Sequence, residues 1–322
     1  MSSINKVTST LCDAIRDPNA IYLPSARYDL YPAKPPRFPK GNKWCKHDNR
    51  SRQRQRANGS FALCLTNRIR IPARSPPPLS ITLSQKLCGG LREHVTHVWT
   101  ATASFSKPKK APTTVVAKFY DPLYFNDSDG TTITDPLRLA TWSAASEVRA
   151  YEKLEPLQGT SIPRCLGLYA TRFHEQESRT VYVLLLEHVS GKDLRYLCRQ
   201  GDSEQEVLGD YLCDKHRDAI FSSIFQLAMD SISLGVFHED LAPRNIIVRP
   251  PAHRGPFCSA ERCPVRLAID ADSVQAVMVD LERVQLDDPP DQRAVGRFRN
   301  RFVNATPSKY FYDWFRDLRQ YP

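Results

Sequence analysis

No apolar run in this chain approaches the roughly 18 residues that a membrane-crossing helix requires. The longest, such as residues 181–186 (Val-Tyr-Val-Leu-Leu-Leu), stop far short of it. The amino-terminal residues Met1-Ser2-Ser3-Ile4-Asn5-Lys6 lack the apolar core of a secretory signal. Nine cysteines are present, scattered without regular spacing, and scattered thiols without a signal are expected to stay reduced. These absences predict a cytoplasmic or nuclear protein with no membrane contact. Internal repeats are also missing, which removes solenoid and propeller architectures.

What is present is length, a core, and one block of charge. A chain of 322 residues, 41% hydrophobic, can bury a substantial core and suits one domain with extensions. The net charge of +10 is unevenly spread: residues 1–80 hold 15 Lys/Arg against 4 Asp/Glu, leaving 30 against 31 for the rest. Basic residues cluster over 34–56, interleaved with Pro35, Pro36 and Pro39 and ending in Arg50-Ser51-Arg52-Gln53-Arg54-Gln55-Arg56. We read residues 1–78 as a basic, Pro-rich, disordered arm closed by the stiff linker Pro72-Ala73-Arg74-Ser75-Pro76-Pro77-Pro78. The alternative for the arm is a weak nucleic-acid or nuclear-import contact. The near-neutral remainder makes either role accessory.

The most informative stretch is Gly235-Val236-Phe237-His238-Glu239-Asp240-Leu241-Ala242-Pro243-Arg244-Asn245. An acid lies two residues after the His and an amide five residues after the acid, so one short loop can aim both at a phosphoryl group. An apolar run, Ile246-Ile247-Val248, follows, and later Val277-Met278-Val279-Asp280 ends a second strand in a carboxylate. Upstream, Val115-Val116-Ala117-Lys118 is a strand run carrying a Lys that matches the Val-Ala-Ile-Lys pattern. A helical stretch over 144–154 then puts Glu147, Ala150, Tyr151 and Leu154 on one face. Glu147 is the expected partner of Lys118, with Glu152 as the fallback on another face. His238 is expected to order its loop while Asp240 does the chemistry.

In order and spacing these elements resemble the protein-kinase-like superfamily over roughly residues 80–290, most of all kinase-like proteins widespread in fungal genomes and, more distantly, aminoglycoside and choline kinases. Leu241-Ala242-Pro243-Arg244-Asn245 is also similar to the tyrosine-kinase form of the loop. Asp280-Leu281-Glu282, at the place of Asp-Phe-Gly, is more familiar among small-molecule phosphotransferases. The resemblance implies an α+β, two-lobed fold with ATP between the lobes. The β-rich amino-terminal lobe would span 79–187 and a mostly helical, truncated carboxy-terminal lobe 188–322, within a domain of 79–322. It implies ATP and Mg²⁺ as cofactors, with Lys118 on the nucleotide phosphates, Glu147 holding Lys118, and Asn245 and Asp280 as metal ligands. Asp240 would orient and deprotonate a hydroxyl acceptor, protein or small molecule, and Arg244 would stabilise transferred charge or the acceptor. Gly89 and Gly90 would form a Gly-poor phosphate loop, Val98 would pack on adenine, and backbone groups of Glu187 and Val189 would bond its edge at the hinge.

Departures from the family pattern matter as well. The interval from Asp240 to Asp280 is 40 residues, about twice that of a compact protein kinase. The excess, about 250–273, is expected as an enlarged loop joining two strands. It carries Cys258 and Cys263 with His253 nearby, one ligand short of a closed zinc site. Only 42 residues follow Asp280, too few for an activation segment and further helices. An aromatic-faced helix is expected over 308–319. The acidic loop over 121–138 does not fit calcium-ligand spacing. Two function classes therefore stand: an ATP-dependent phosphotransferase, or a catalytically weak pseudokinase acting as an ATP-binding or protein-interaction module.

Overall fold

The computed structural model describes residues 21–36, 61–71, 76–89, 96–106, 111–124, 136–197, 211–253, 255–291 and 295. The chain divides into two units: 1–148 with 165–188, and 149–164 with 189–322. The protein is mixed α/β. Among the described residues, no helix is long and apolar enough to cross a membrane.

The first unit is built by alternation. In β4 (Thr113–Tyr120) Val115, Ala117 and Phe119 point inward and are at most 1% exposed, as period-2 side-chain direction dictates. The same rule turns Lys118 and Tyr120 to the opposite face. β2 (Leu79–Cys88), β3 (His97–Phe105), β5 (Cys165–Phe173) and β6 (Arg179–Glu187) are antiparallel partners in one sheet. β1 (Arg27–Pro32) closes that sheet into a barrel of order β1-β2-β3-β4-β6-β5. It pairs Arg27 to Leu30 with β2 and Tyr31 to Pro32 with β5. Closure removes the exposed strand edges.

β1 corrects the expected disordered arm over 1–78. Its Tyr28 and Leu30 are buried and Arg27 and Asp29 exposed, so the strand contributes to the barrel core. Just before it, Tyr22 donates to Asp121 at 2.7 Å, and Asp121 also takes a two-point ion pair from Arg179. Arg179 and Asp121 are fully buried, so each requires the other to offset its lost hydration. Residues 61–66 are helical, and the Ile69 amide donates to the Thr180 hydroxyl at 2.6 Å. The basic tract beyond residue 36, up to 60, lies outside the described residues, as does the expected helix over 308–319.

Among its described residues, the second unit is less helical than expected. Among its described residues, α2 (Asp214–Ser233) is the long helix, and the end of α1 (Pro136–Lys153) contributes residues from 149. Ile220, Ile224, Leu227 and Ile232 of α2 are buried, following helical spacing, and α2 packs on β8 (Val236–His238) and β10 (Ala276–Met278). Gly235 ends α2 in the left-handed region (φ 76°), where an added Cβ would sit 2.3 Å from the Asp287 carbonyl oxygen. β9 (Ile246–Val248) pairs with β10 and with β7 (Lys192–Asp193), while β11 (Val284–Leu286) pairs with β8. Among its described residues, the long segment between β9 and β10 has no regular secondary structure. Residues 149–164 group with this unit, whereas the sequence alone puts them in the amino-terminal lobe.

Candidate active site

In the first unit, Lys118 donates to Oε2 of Glu147 at 2.6 Å, with side chains 3% and 0% exposed. β4 supplies the Lys, and Glu147 comes from the fourth turn of α1. Val98 is the cross-strand partner of Lys118 on β3, so the two side chains share the outer face of the barrel. Tyr120, two residues after Lys118, donates its hydroxyl to the same Oε2 at 2.6 Å. Sequence reasoning missed it, although period 2 alone puts Tyr120 on the face of Lys118. Two donors on one carboxylate oxygen fix where Glu147 can hold the ammonium. Glu152, the fallback, belongs to the second unit, which takes up the chain after Val148.

Gly89 follows β2 with φ 116°, and an added Cβ would lie 2.9 Å from the Cα of His97. The position therefore requires glycine. Gly90 lies outside the described residues. Glu187 ends β6 opposite Val115, and Val189, in the second unit, is buried.

In the second unit the loop after β8 is organised by His238. Its Nδ1 accepts the Asp240 amide at 3.1 Å and its Nε2 lies 3.0 Å from the Asp280 carbonyl oxygen. A carbonyl can only accept, so Nε2 carries the proton and the ring is neutral. Burial pushes the imidazole below its ordinary pKa, outweighing the opposite pull of the Asp280 and Asp240 charges. Both ring nitrogens are thus spent on backbone groups flanking the site. His238 is a tie, and Asp240 is left as the loop's carboxylate.

Asn245 is buried and donates Nδ2 to the Asp240 carbonyl at 2.8 Å and to Oδ2 of Asp240 at 3.3 Å. Its amide oxygen is thereby the end available to a cation. The Asn245 carbonyl accepts the Val279 amide at 2.8 Å, which ties the loop to the residue before Asp280. Asp280 itself is left-handed, with φ 64°. Asp tolerates this conformation better than most residues, and such outliers concentrate at functional sites. Arg244 donates to Oδ1 of Asp240 at 2.5 Å. The sequence predicts that Arg244 faces transferred charge or an acceptor. The structure engages it with the carboxylate of its own loop.

Oxygen donors from Asp280 and Asn245 are the hard-ligand chemistry that Mg²⁺ takes, and the Lys118 ammonium is the chemistry a polyphosphate takes. Each unit by itself thus carries side chains of the kind its ligand would need, oxygen donors for Mg²⁺ in the second and an ammonium for phosphate in the first.

No protein-family model matches the chain, and no curated protein matches it. Among solved structures it is similar to WaaP in complex with acyl carrier protein, at 13% identity over 83% of this chain and 77% of that chain, with a TM-score of 0.38. A likeness at that level carries no argument about activity.

Proposed function

We propose that the protein is an ATP-dependent phosphotransferase that moves the γ-phosphoryl group of Mg-ATP to a hydroxyl acceptor. The observation that carries this reading is the second unit's loop, in which His238 and Asn245 hold Asp240 and Asp280 through their backbone groups. The buried Lys118–Glu147 pair supports it independently.

In this reading Lys118, oriented by Glu147 and Tyr120, neutralises nucleotide phosphate charge. Asp280 and Asn245 hold Mg²⁺, which supplies charge neutralisation during transfer. Asp240 accepts a hydrogen bond from the acceptor hydroxyl and takes its proton as the new P–O bond forms and the bond from the γ-phosphorus to the β,γ-bridging oxygen breaks, with ADP as the leaving group. Most of the rate enhancement then comes from positioning and electrostatics. Gly89, Val98, Glu187 and Val189 are assigned to the nucleotide through the family resemblance.

One observation favours the second reading, a nucleotide-binding pseudokinase: the Arg244 guanidinium occupies Oδ1 of the carboxylate that must serve the acceptor. The two readings share nucleotide binding and differ in turnover. Thermal-shift titration with ATP, with and without Mg²⁺, tests what they share. Stabilisation that requires Mg²⁺ is expected. A folded sample unmoved by millimolar Mg-ATP would remove both readings.

A further inference from the structure

Four metal-ligating side chains of the second unit converge away from the loop of Asp240. Cys213 precedes α2 and His216 sits in its first turn, while Cys258 and Cys263 come from the irregular segment between β9 and β10. Their ligand atoms all lie within 4.8 Å of one another. Nδ1 of His216 is 3.1 Å from Sγ of Cys213 and 3.6 Å from Sγ of Cys263. In a tetrahedral zinc site with Zn–S of about 2.3 Å and Zn–N of about 2.0 Å, a sulfur and a nitrogen ligand stand about 3.5 Å apart and two sulfurs about 3.8 Å.

The imidazole is already set for such a role. Nε2 of the fully buried His216 lies 2.8 Å from the Ile269 carbonyl oxygen, which can only accept. That bond fixes the proton on Nε2 and leaves the Nδ1 lone pair directed at the sulfurs, the backbone tie that metal-bound histidines commonly have. Cys213 also stands at the amino-terminal end of α2, where the helix dipole favours thiolate. His253, which the sequence placed beside Cys258 and Cys263, instead packs edge-on to Phe257. The missing ligands come from Cys213 and His216, at two-residue separation, an arrangement invisible until α2 and the loop are brought together.

We propose that Cys213, His216, Cys258 and Cys263 form a closed structural zinc site of Cys₃His type. Long loops without secondary structure are uncommon inside a packed unit unless something ties them down. Here the tie is to the start of α2, reinforced by Lys215–Asp272 at 2.7 Å and by the Ser223 hydroxyl, which contacts the Val274 carbonyl and the Ala276 amide. The metal fixes the segment whose two ends lead to Asn245, just before β9, and to Asp280, just after β10. The proposal stands on these ligands alone and is independent of phosphoryl transfer.

The test is the metal content of the full chain, expressed with added zinc and purified without chelator, together with cobalt substitution of the same protein. We expect about one zinc per chain, and Co²⁺ spectra with the intense visible bands and thiolate charge transfer of tetrahedral sulfur-rich coordination. His216→Ala and Cys258→Ser should lose the metal. His216→Cys, which offers a fourth thiolate, should keep it, and Cys165→Ser, outside the cluster, should change nothing. Folded wild type with near-zero zinc and no cobalt bands would overturn the proposal even if every variant failed to fold. So would a disulfide among these cysteines, or zinc retained undiminished by His216→Ala and Cys258→Ser.

Discussion

Arg244 and Asp240 form an ion pair within a single loop, with N and O 2.5 Å apart and side chains only 36% and 24% exposed. The spacing of four residues lets the guanidinium approach the carboxylate from the short helical turn over Pro243–Asn245. The pair orients the carboxylate, and it also competes with any acceptor for Oδ1. Under the phosphotransfer reading Arg244 is therefore a positioning residue. Arg244→Ala should lower turnover by roughly 10- to 100-fold, the scale of a misplaced reacting group, while leaving the affinity for Mg-ATP unchanged. Arg244→Lys should recover part of the loss. Higher turnover in Arg244→Ala would instead mean that the pair blocks the site.

The ion pair of Lys118 and Glu147 is almost wholly removed from water. Glu147→Gln removes the negative charge from one side of a buried ion pair and should cost about 3–5 kcal/mol. Tyr120→Phe removes one hydrogen bond to the carboxylate and should cost about 1.5–3 kcal/mol. Denaturant unfolding of the full chain measures both. A Glu147→Gln protein as stable as wild type would contradict the burial of the pair.

Barrel closure by β1 yields a prediction opposite to the one that an amino-terminal arm suggests. Removing residues 1–36 strips β2 of its β1 partner and abolishes the β1–β5 pairing, so the truncated chain should lose cooperative unfolding. The point change Leu30→Ala, at a fully buried position, should cost about 2–5 kcal/mol. Unchanged melting of the truncated protein would show that β1 is dispensable.

The pattern of β1 was present in the sequence. Tyr28 and Leu30 alternate with Arg27 and Asp29, but charge averaged over eighty residues hid a six-residue strand. Elements with strong local patterns were legible: β4 with Lys118, α1 with Glu147, α2 with its Ile and Leu face, and the loop from His238 to Asn245. Their signals are periodicity and spacing, both local. The Cys213–His216–Cys258–Cys263 cluster was not legible, because its halves are joined by packing across more than forty residues. Arg244's bond to Asp240 escaped for another reason: side-chain direction in an irregular loop has no period.

His238 gives a pH prediction. Its pKa is depressed in the folded chain, so the folded state resists protonation and the unfolded chain binds the extra proton. The stability contributed by the neutral ring is full above about 6.5, the unfolded value, and is lost as the pH falls below it. His238→Gln keeps an acceptor and a donor without titrating. The difference in unfolding free energy between wild type and His238→Gln should therefore shift against wild type over the interval in which the pH is lowered from about 6.5. A difference that stays flat over that interval would contradict a buried neutral ring.

In the proposed phosphotransfer Asp240 acts on a nucleotide held through Asp280, and nucleotide affinity paired with turnover in wild type, Asp240→Asn and Asp280→Asn tests this directly. Turnover is read as phosphate transfer in a screen of peptides and small hydroxyl compounds with labelled ATP, or as slow ATP hydrolysis. Asp240→Asn keeps the shape of the side chain and should retain Mg-ATP binding while losing turnover by roughly 10²-fold or more, the scale of a positioned general base. Asp280→Asn should lose Mg²⁺-dependent affinity as well. If wild type binds Mg-ATP and its turnover is the same in Asp240→Asn, the catalytic assignment is wrong and the protein is a nucleotide-binding module.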